Sequence, residues 1–127
     1  MNIMKQLPTV ALRGLTILPG MVAHFDVSRE KSIRAVEEAM MGEQEIFQLT
    51  QKNPEDEEPL PENLYQIGLV AKIKQVVKLQ NNIVRVLVEG IERAEVSSFI
   101  QTEEYFFVEI MGFSETEMEE LEENAKE

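Results

Sequence analysis

The chain has 127 residues, of which 43% are hydrophobic, with a formal charge of −12 and neither cysteine nor tryptophan. That length supports one domain with a buried core and not two, and the missing thiols exclude disulfides and thiolate-bound zinc or iron–sulfur centres. The acids are concentrated, with −4 in Lys52–Glu62 and −6 in Ser114–Glu127, so the other 102 residues sum to only −2.

Lys5, Pro8 and Arg13 interrupt the place where a secretory signal's apolar segment should run, and no apolar run is long enough to span a bilayer. The expectation is a soluble cytoplasmic protein without a membrane partner. Leu7–Val22 (LPTVALRGLTILPGMV) organises the N-terminal part. Its apolar residues lack helical spacing, and the alternation around Val10 and Leu12 predicts a buried strand feeding a sharp bend. Pro8 suits the first residue of a strand, Gly14 takes backbone angles closed to other residues, and Pro19-Gly20 matches the centre of a type II turn. Arg13 is then a charge at the strand's end, reaching water or the edge of the core.

Met21–Val27 alternates, with Met21, Ala23, Phe25 and Val27 on one face and His24 and Asp26 on the wet one. Ser28 is placed to cap the main helix, expected at about 29–41. There Ile33, Val36 and Met40 form an apolar stripe beside Ala39, Arg34 has acids four residues away on both sides, and Gly42 supplies the stop. Ile46, Phe47 and Leu49 predict a short strand. Gln51–Asn63, with three prolines and an acid cluster, reads as a mobile surface loop without the spacing of a calcium loop.

From Leu64 the pattern is two-periodic, and Asn81-Asn82 suits a two-residue hairpin turn. The predicted register sets Leu79 opposite Val84, Val77 opposite Val86, Ile73 opposite Gly90 and Lys74 opposite Glu89, which leaves Lys78 facing Arg85 as a like-charge pair. Lys72, Lys74, Lys78 and Arg85 are the only basic cluster and lie amid net acid, so nucleic acid is not an expected partner. After Gly90, Arg93–Ile100 and Tyr105–Phe113 read as two further strands. The tail, residues 114–127, has helix-forming composition with a weak seam at Met118, Leu121 and Ala125. It ends in mid-pattern, so the expectation is a domain at 1–113 followed by an acidic helical tail or linker to further domains.

Phosphate-loop, dinucleotide, nucleophile-elbow and zinc-protease motifs are all missing. His24 is the sole histidine, and on a wet strand face it reads as a surface group; no catalytic or metal-binding residue is assigned. The residues by themselves describe a non-catalytic β-rich α+β domain with one main helix, whose function lies in what it binds.

Three stretches in order carry a resemblance: LRGLTILPGMV within Leu7–Val22, SREKSIRAVEEAMM at Ser28–Met41, and Gly68–Ile73 followed by RVLVEGIERAEV at Arg85–Val96. Together they resemble the N-terminal domain of the Lon family of ATP-dependent proteases, from Leu7 to about Phe113. Arg13, Gly14, Gly68, Arg85, Gly90 and Arg93 are the motif positions, expected to be structural. The resemblance implies a PUA-like pseudobarrel of about six strands with the helix packed on it, at the start of a longer polypeptide. It implies ATPase and serine–lysine peptidase domains downstream, with ATP and magnesium there and no cofactor in this chain. Unfolded or damaged polypeptides and neighbouring subunits of a homohexameric ring are the implied partners, and protein quality control the implied setting.

Two other readings stand beside substrate recognition. One is a purely structural self-association module. The other is a stand-alone Lon-like ligand-binding protein, which the missing tryptophan cage disfavours. Exposed apolar surface discriminates between recruiting and assembling. Leu18, Pro19 and Met21 in the bend are the candidate substrate-binding residues, with a role for Leu18 and Met21 as plain core the alternative.

Overall fold

The structure is a computed structural model that describes residues 4–14 and 17–112. In chain order it contains β1 (Met4–Leu12), β2 (Val22–Val27), α1 (Glu30–Met41), β3 (Glu45–Thr50), a 3-10 turn (Pro61–Asn63), β4 (Ile67–Lys78), β5 (Val84–Gln101) and β6 (Phe106–Gly112). The expected acidic helical tail lies outside the described residues. The strands follow the order β2-β5-β4-β3-β1-β6, and β5 pairs with β6 as well. Strands β1, β3, β4, β5 and β6 therefore close on themselves, while β2 borders the first half of β5. Among the described residues only the β1–β3 pairing is parallel. This is the six-stranded pseudobarrel with one helix that the resemblance implied.

β1 shows why the pattern is not helical. Thr9, Val10, Ala11 and Leu12 are all buried, because the strand lies between two apolar layers. Val10 and Leu12 join Phe25, Val36, Ile73 and Val86 in one cluster, while Leu7 and Ala11 join Phe47, Leu49, Phe106 and Val108 in the other. Pro8 is inside the strand rather than at its start. It pairs with Phe107 of β6, but the ladder to β3 begins only at Thr9, so its missing N–H is asked for on one side at most.

α1 starts one residue later than a Ser28 cap requires. Arg29 occupies the N-cap position with no side-chain cap bond, and its carbonyl accepts from the Ile33 amide at 2.9 Å. The buried face is Ser32, Ala35, Val36 and Ala39, with Ile33 half-buried and Met40 exposed. Small residues thus face the sheet, and the long methionine stays outside. Arg34 pairs with Glu38 at 3.2 Å. At the C-terminus the left-handed residue is Gln44 (φ 65°) rather than Gly42, and both of their amides donate to the Ala39 carbonyl, at 2.9 and 3.1 Å.

The β4–β5 hairpin departs from the predicted register by one residue. Asn81 and Asn82 do take the left-handed conformation, with φ of 64° and 60°. However, the Leu79 amide donates to the Ile83 carbonyl at 2.8 Å, so Lys78 faces Val84, Val77 faces Arg85 and Val76 faces Val86. A bulge at Lys74 then brings Ile73 opposite Val88 and into the core. Val77 and Leu79 end up exposed near the hairpin tip, and Lys74 still reaches Glu89 at 3.2 Å. Arg85 escapes the expected clash with Lys78 by pairing across β2 with Asp26, through bonds of 2.9 and 3.1 Å. β5 runs unbroken through Gly90, where two strands were expected, because the bulge at Ile91 absorbs the irregularity.

Gln51–Asn63 is tied down. Gln51, which is fully buried, accepts from Arg29 Nη1 at 2.7 Å, and its Nε2 donates to the carbonyls of Asn53 and Asp56 at 3.1 and 2.9 Å. Arg29 Nη2 also donates to the Asp56 carbonyl, at 2.8 Å. A bridge between Gln51 and Leu64 closes the loop at its base. Burial, and next the neighbouring Arg13, hold the Arg29 pKa below the ordinary arginine value.

Candidate functional site

The bend after β1 is built by local chemistry and held by β5. The Met21 amide donates to the Leu18 carbonyl at 3.0 Å and Gly20 has φ of 84°, which together make the type II turn that Pro19-Gly20 predicts. The Gly20 amide donates to the Gly90 carbonyl at 2.8 Å, and the Gly90 amide to the Met21 carbonyl at 2.9 Å. A Cβ on Gly90 would stand 2.5 Å from the Leu18 carbonyl oxygen, so only glycine permits the backbones to approach this closely.

With its backbone fixed, the bend presents its side chains outward. Leu18 is 42% and Met21 44% exposed, and Pro19 is exposed between them. Val22, Ile67 and Ile91 add further exposed apolar side chains. Beside Leu18 lies a cavity of about 150 Å³, walled by Leu12, Ile17, Leu18 and Ile67, to which Gln48 and Arg93 contribute polar groups. Gln48 is only 6% exposed, and its Nε2 is fully buried without a hydrogen-bond partner among the described residues. Arg93 is half-buried beside Leu69 and makes no ion pair among the described residues.

The other motif residues occupy different settings. Gly68 lets β4 press on the Gln48 backbone, where a Cβ would collide with the carbonyl. Gly14 has φ of 130°. Arg13 is exposed at a larger cleft of about 1020 Å³, whose walls mix Arg29, Lys31 and Arg34 with Glu57 and Glu104. Arg85 is spent on Asp26: that hydrogen bond, ahead of the charge itself, lowers the Asp26 pKa, and the same bond raises that of Arg85. His24 is exposed, and no group of three or more His, Cys, Asp or Glu able to hold a metal occurs among the described residues. No helix among them is long and apolar enough to cross a membrane.

Of the residues around the bend, Gln48 and Arg93 are polar groups that the sequence pattern did not single out for binding. The available signal was the glutamine at the centre of Glu45–Thr50 (EIFQLT), a polar side chain in a strand buried on both faces.

The architecture is that of the N-terminal domains of Lon proteases. The structure superposes on the N-terminal domain of Mycobacterium avium complex Lon protease with a TM-score of 0.69 over 87% of this chain and 56% of that one, at 21% identity. It superposes on a Lon N-terminal domain protein from Xanthomonas campestris with a TM-score of 0.64 over 87% of this chain and 60% of that one, at 14% identity. In sequence, residues 6–127 match the family model of the ATP-dependent protease La (LON) substrate-binding domain, and the chain belongs to that family. It is 48% identical over 118 residues to the Lon protease of Brevibacillus choshinensis, covering 93% of this chain and 15% of the relative. It is 50% identical over 103 residues to that of Halothermothrix orenii, covering 81% of this chain and 13% of the relative. The chain thus spans about one seventh of the length of these relatives.

Proposed function

We propose that this domain captures unfolded or damaged polypeptide for an ATP-dependent serine protease, and that the bend at Leu18, Pro19 and Met21 makes the contact. The observation carrying this reading is the exposure of Leu18 and Met21 on a turn whose backbone is pinned to Gly90. A turn fixed by its backbone leaves more than two-fifths of each of these two residues facing water. Methionine adapts to many partners, as a site receiving diverse unfolded chains requires. Membership of a substrate-binding domain family supports the same reading.

In the whole protein, the domain precedes the ATPase and peptidase domains, where ATP and magnesium act. Six copies surround a ring in the cytoplasm and serve protein quality control. One copy binds weakly, on the order of micromolar to millimolar, and the ring raises this by avidity. Titrating a casein-like unfolded chain against the parent and against Leu18→Ser and Met21→Ser variants tests the reading. Binding should fall in both variants while their melting temperatures hold, and should change little with salt, because the contact is apolar. If both folded variants bind as well as the parent, the bend is not the site. If the parent binds nothing and instead self-associates through this surface, assembly replaces capture.

A further inference from the structure

We propose that the outer edge of β2 binds a substrate polypeptide in extended form, as an added strand held by main-chain hydrogen bonds. This rests on the reading of the domain as a capture module, and states the conformation in which the captured chain is held.

Topology is the first support. β2 has a single strand neighbour, β5, whereas β1, β3, β4, β5 and β6 each have at least two. Its outer edge is therefore the one left open among the described strands. The direction of its backbone groups is the second support. The Gly90 amide donates to the Met21 carbonyl, so Met21 and every second residue after it, Ala23, Phe25 and Val27, turn their polar groups to β5. The other side of β5 agrees. The Leu79 amide donates to the Ile83 carbonyl, which sends Arg85 and Leu87 to β4 and leaves Val84, Val86 and Val88 for β2. The amides and carbonyls of Val22, His24 and Asp26 thus point away from the sheet, and none of them has a hydrogen-bond partner among the described residues. Such an alternating row of donors and acceptors is matched by the backbone of another extended strand whatever its side chains, as a receptor for diverse sequences requires.

The third support is that this edge lacks the usual protection. β2 pairs with β5 without a register shift, it contains neither proline nor lysine, and its one acid, Asp26, is paired with Arg85. It also continues directly from the bend. Met21 is 44% and Val22 59% exposed, so a chain that touches Leu18 and Met21 runs on along the open edge.

A second copy of the domain is the competing source of an extended backbone. Six residues span about 20 Å, too short an edge for the roughly 1,200 Å² of a stable interface, and two chains of charge −12 repel each other. A weak contact with a chain that need not be acidic fits the edge better.

The test separates backbone from side chain. His24→Pro removes an outward amide and sets a ring on the edge while sparing the ladder to β5, a place where strands tolerate proline. His24→Ala removes only the imidazole. Titrated with the casein-like unfolded chain, His24→Pro should bind about tenfold or more weakly than the parent at nearly the parent's melting temperature, and His24→Ala should bind as the parent does. A soluble peptide of alternating threonine and valine gives a readout that needs no variant. With every amide N-methylated it should not bind the parent, whereas methylation of every second residue leaves one edge intact and should be tolerated. Undiminished binding of the casein-like chain by folded His24→Pro, or a parent that binds this chain but does not distinguish the peptides, overturns the edge proposal. Loss of binding in Leu18→Ser then still leaves capture at the bend standing. If the parent binds neither peptide nor the casein-like chain, the capture reading falls and takes this proposal with it. Dimerisation that His24→Pro abolishes would in that case give the edge to a second copy.

Discussion

The bend at Leu18–Met21 and the acidic loop at Gln51–Leu64 are both connections rich in proline, and different chemistry holds each in place. Backbone bonds to Gly90 hold the bend, so its side chains are left over and the apolar ones face water. The side chains of Arg29 and Gln51 hold the loop by gripping the Asp56 carbonyl, and what it shows to water is chiefly acid, with Leu60 as its one exposed large apolar side chain. The contrast teaches where function resides. Exposed acids on a clamped loop are an ordinary solvated surface, whereas exposed Leu18 and Met21 on a turn bonded to Gly90 are apolar area that the domain itself leaves uncovered.

Breaking the backbone clamp should have the larger effect. Gly90→Val drives a branched side chain into the Leu18 carbonyl and Leu69, and should destabilise the domain by about 3 kcal/mol and abolish binding at the bend. Denaturant melts measure this, and an unchanged midpoint would mean that the bend does not rest on β5. Breaking the side-chain clamp comes next. Gln51→Leu leaves Arg29 and the Asp56 carbonyl without a shared partner and should cost about 2 kcal/mol. Limited proteolysis should then cut within Gln51–Leu64, while binding at the bend stays as in the parent. Lost binding in a folded variant would show that the two connections are coupled.

The smallest effect is expected far from both connections, as a control. Arg85→Glu replaces an exposed ion pair with two facing acids, so it should destabilise slightly, and less so at high salt. The Asp26 carboxyl titrates below its ordinary value of 3.8. Its contribution is therefore fully present above that pH and is lost as the pH falls through the lowered value, so parent and variant should converge in the acid limb of a stability curve. A gap that stays constant to the lowest pH at which the domain folds would assign the effect to something other than this pair.

The β4–β5 hairpin shows how far reading the residues could go. Asn81-Asn82 announced the turn and the valines announced the strands, but the register depended on whether Leu79 met Ile83 or Val84. Both choices bury Val86. The bulge at Lys74, which returns Ile73 to the core, settles the matter only once β2 and β4 border β5. Gln51–Asn63 misled for a related reason. Its composition is that of a mobile segment, and the residues that fix it include Arg29, in another part of the chain.

What the sequence alone determined here was what short-range physics controls. The buried run of β1, the helix at Glu30–Met41 and the type II turn at Leu18–Met21 follow from apolar periodicity and from the backbone angles open to proline and glycine. Exposure of Leu18 and Met21, the unmatched amide of Gln48 and the position of Arg93 on the cavity wall were decided by the tertiary structure. Each depends on which strand arrives opposite, and a residue's own neighbours in the chain carry no information about a partner that folding brings from dozens of residues away.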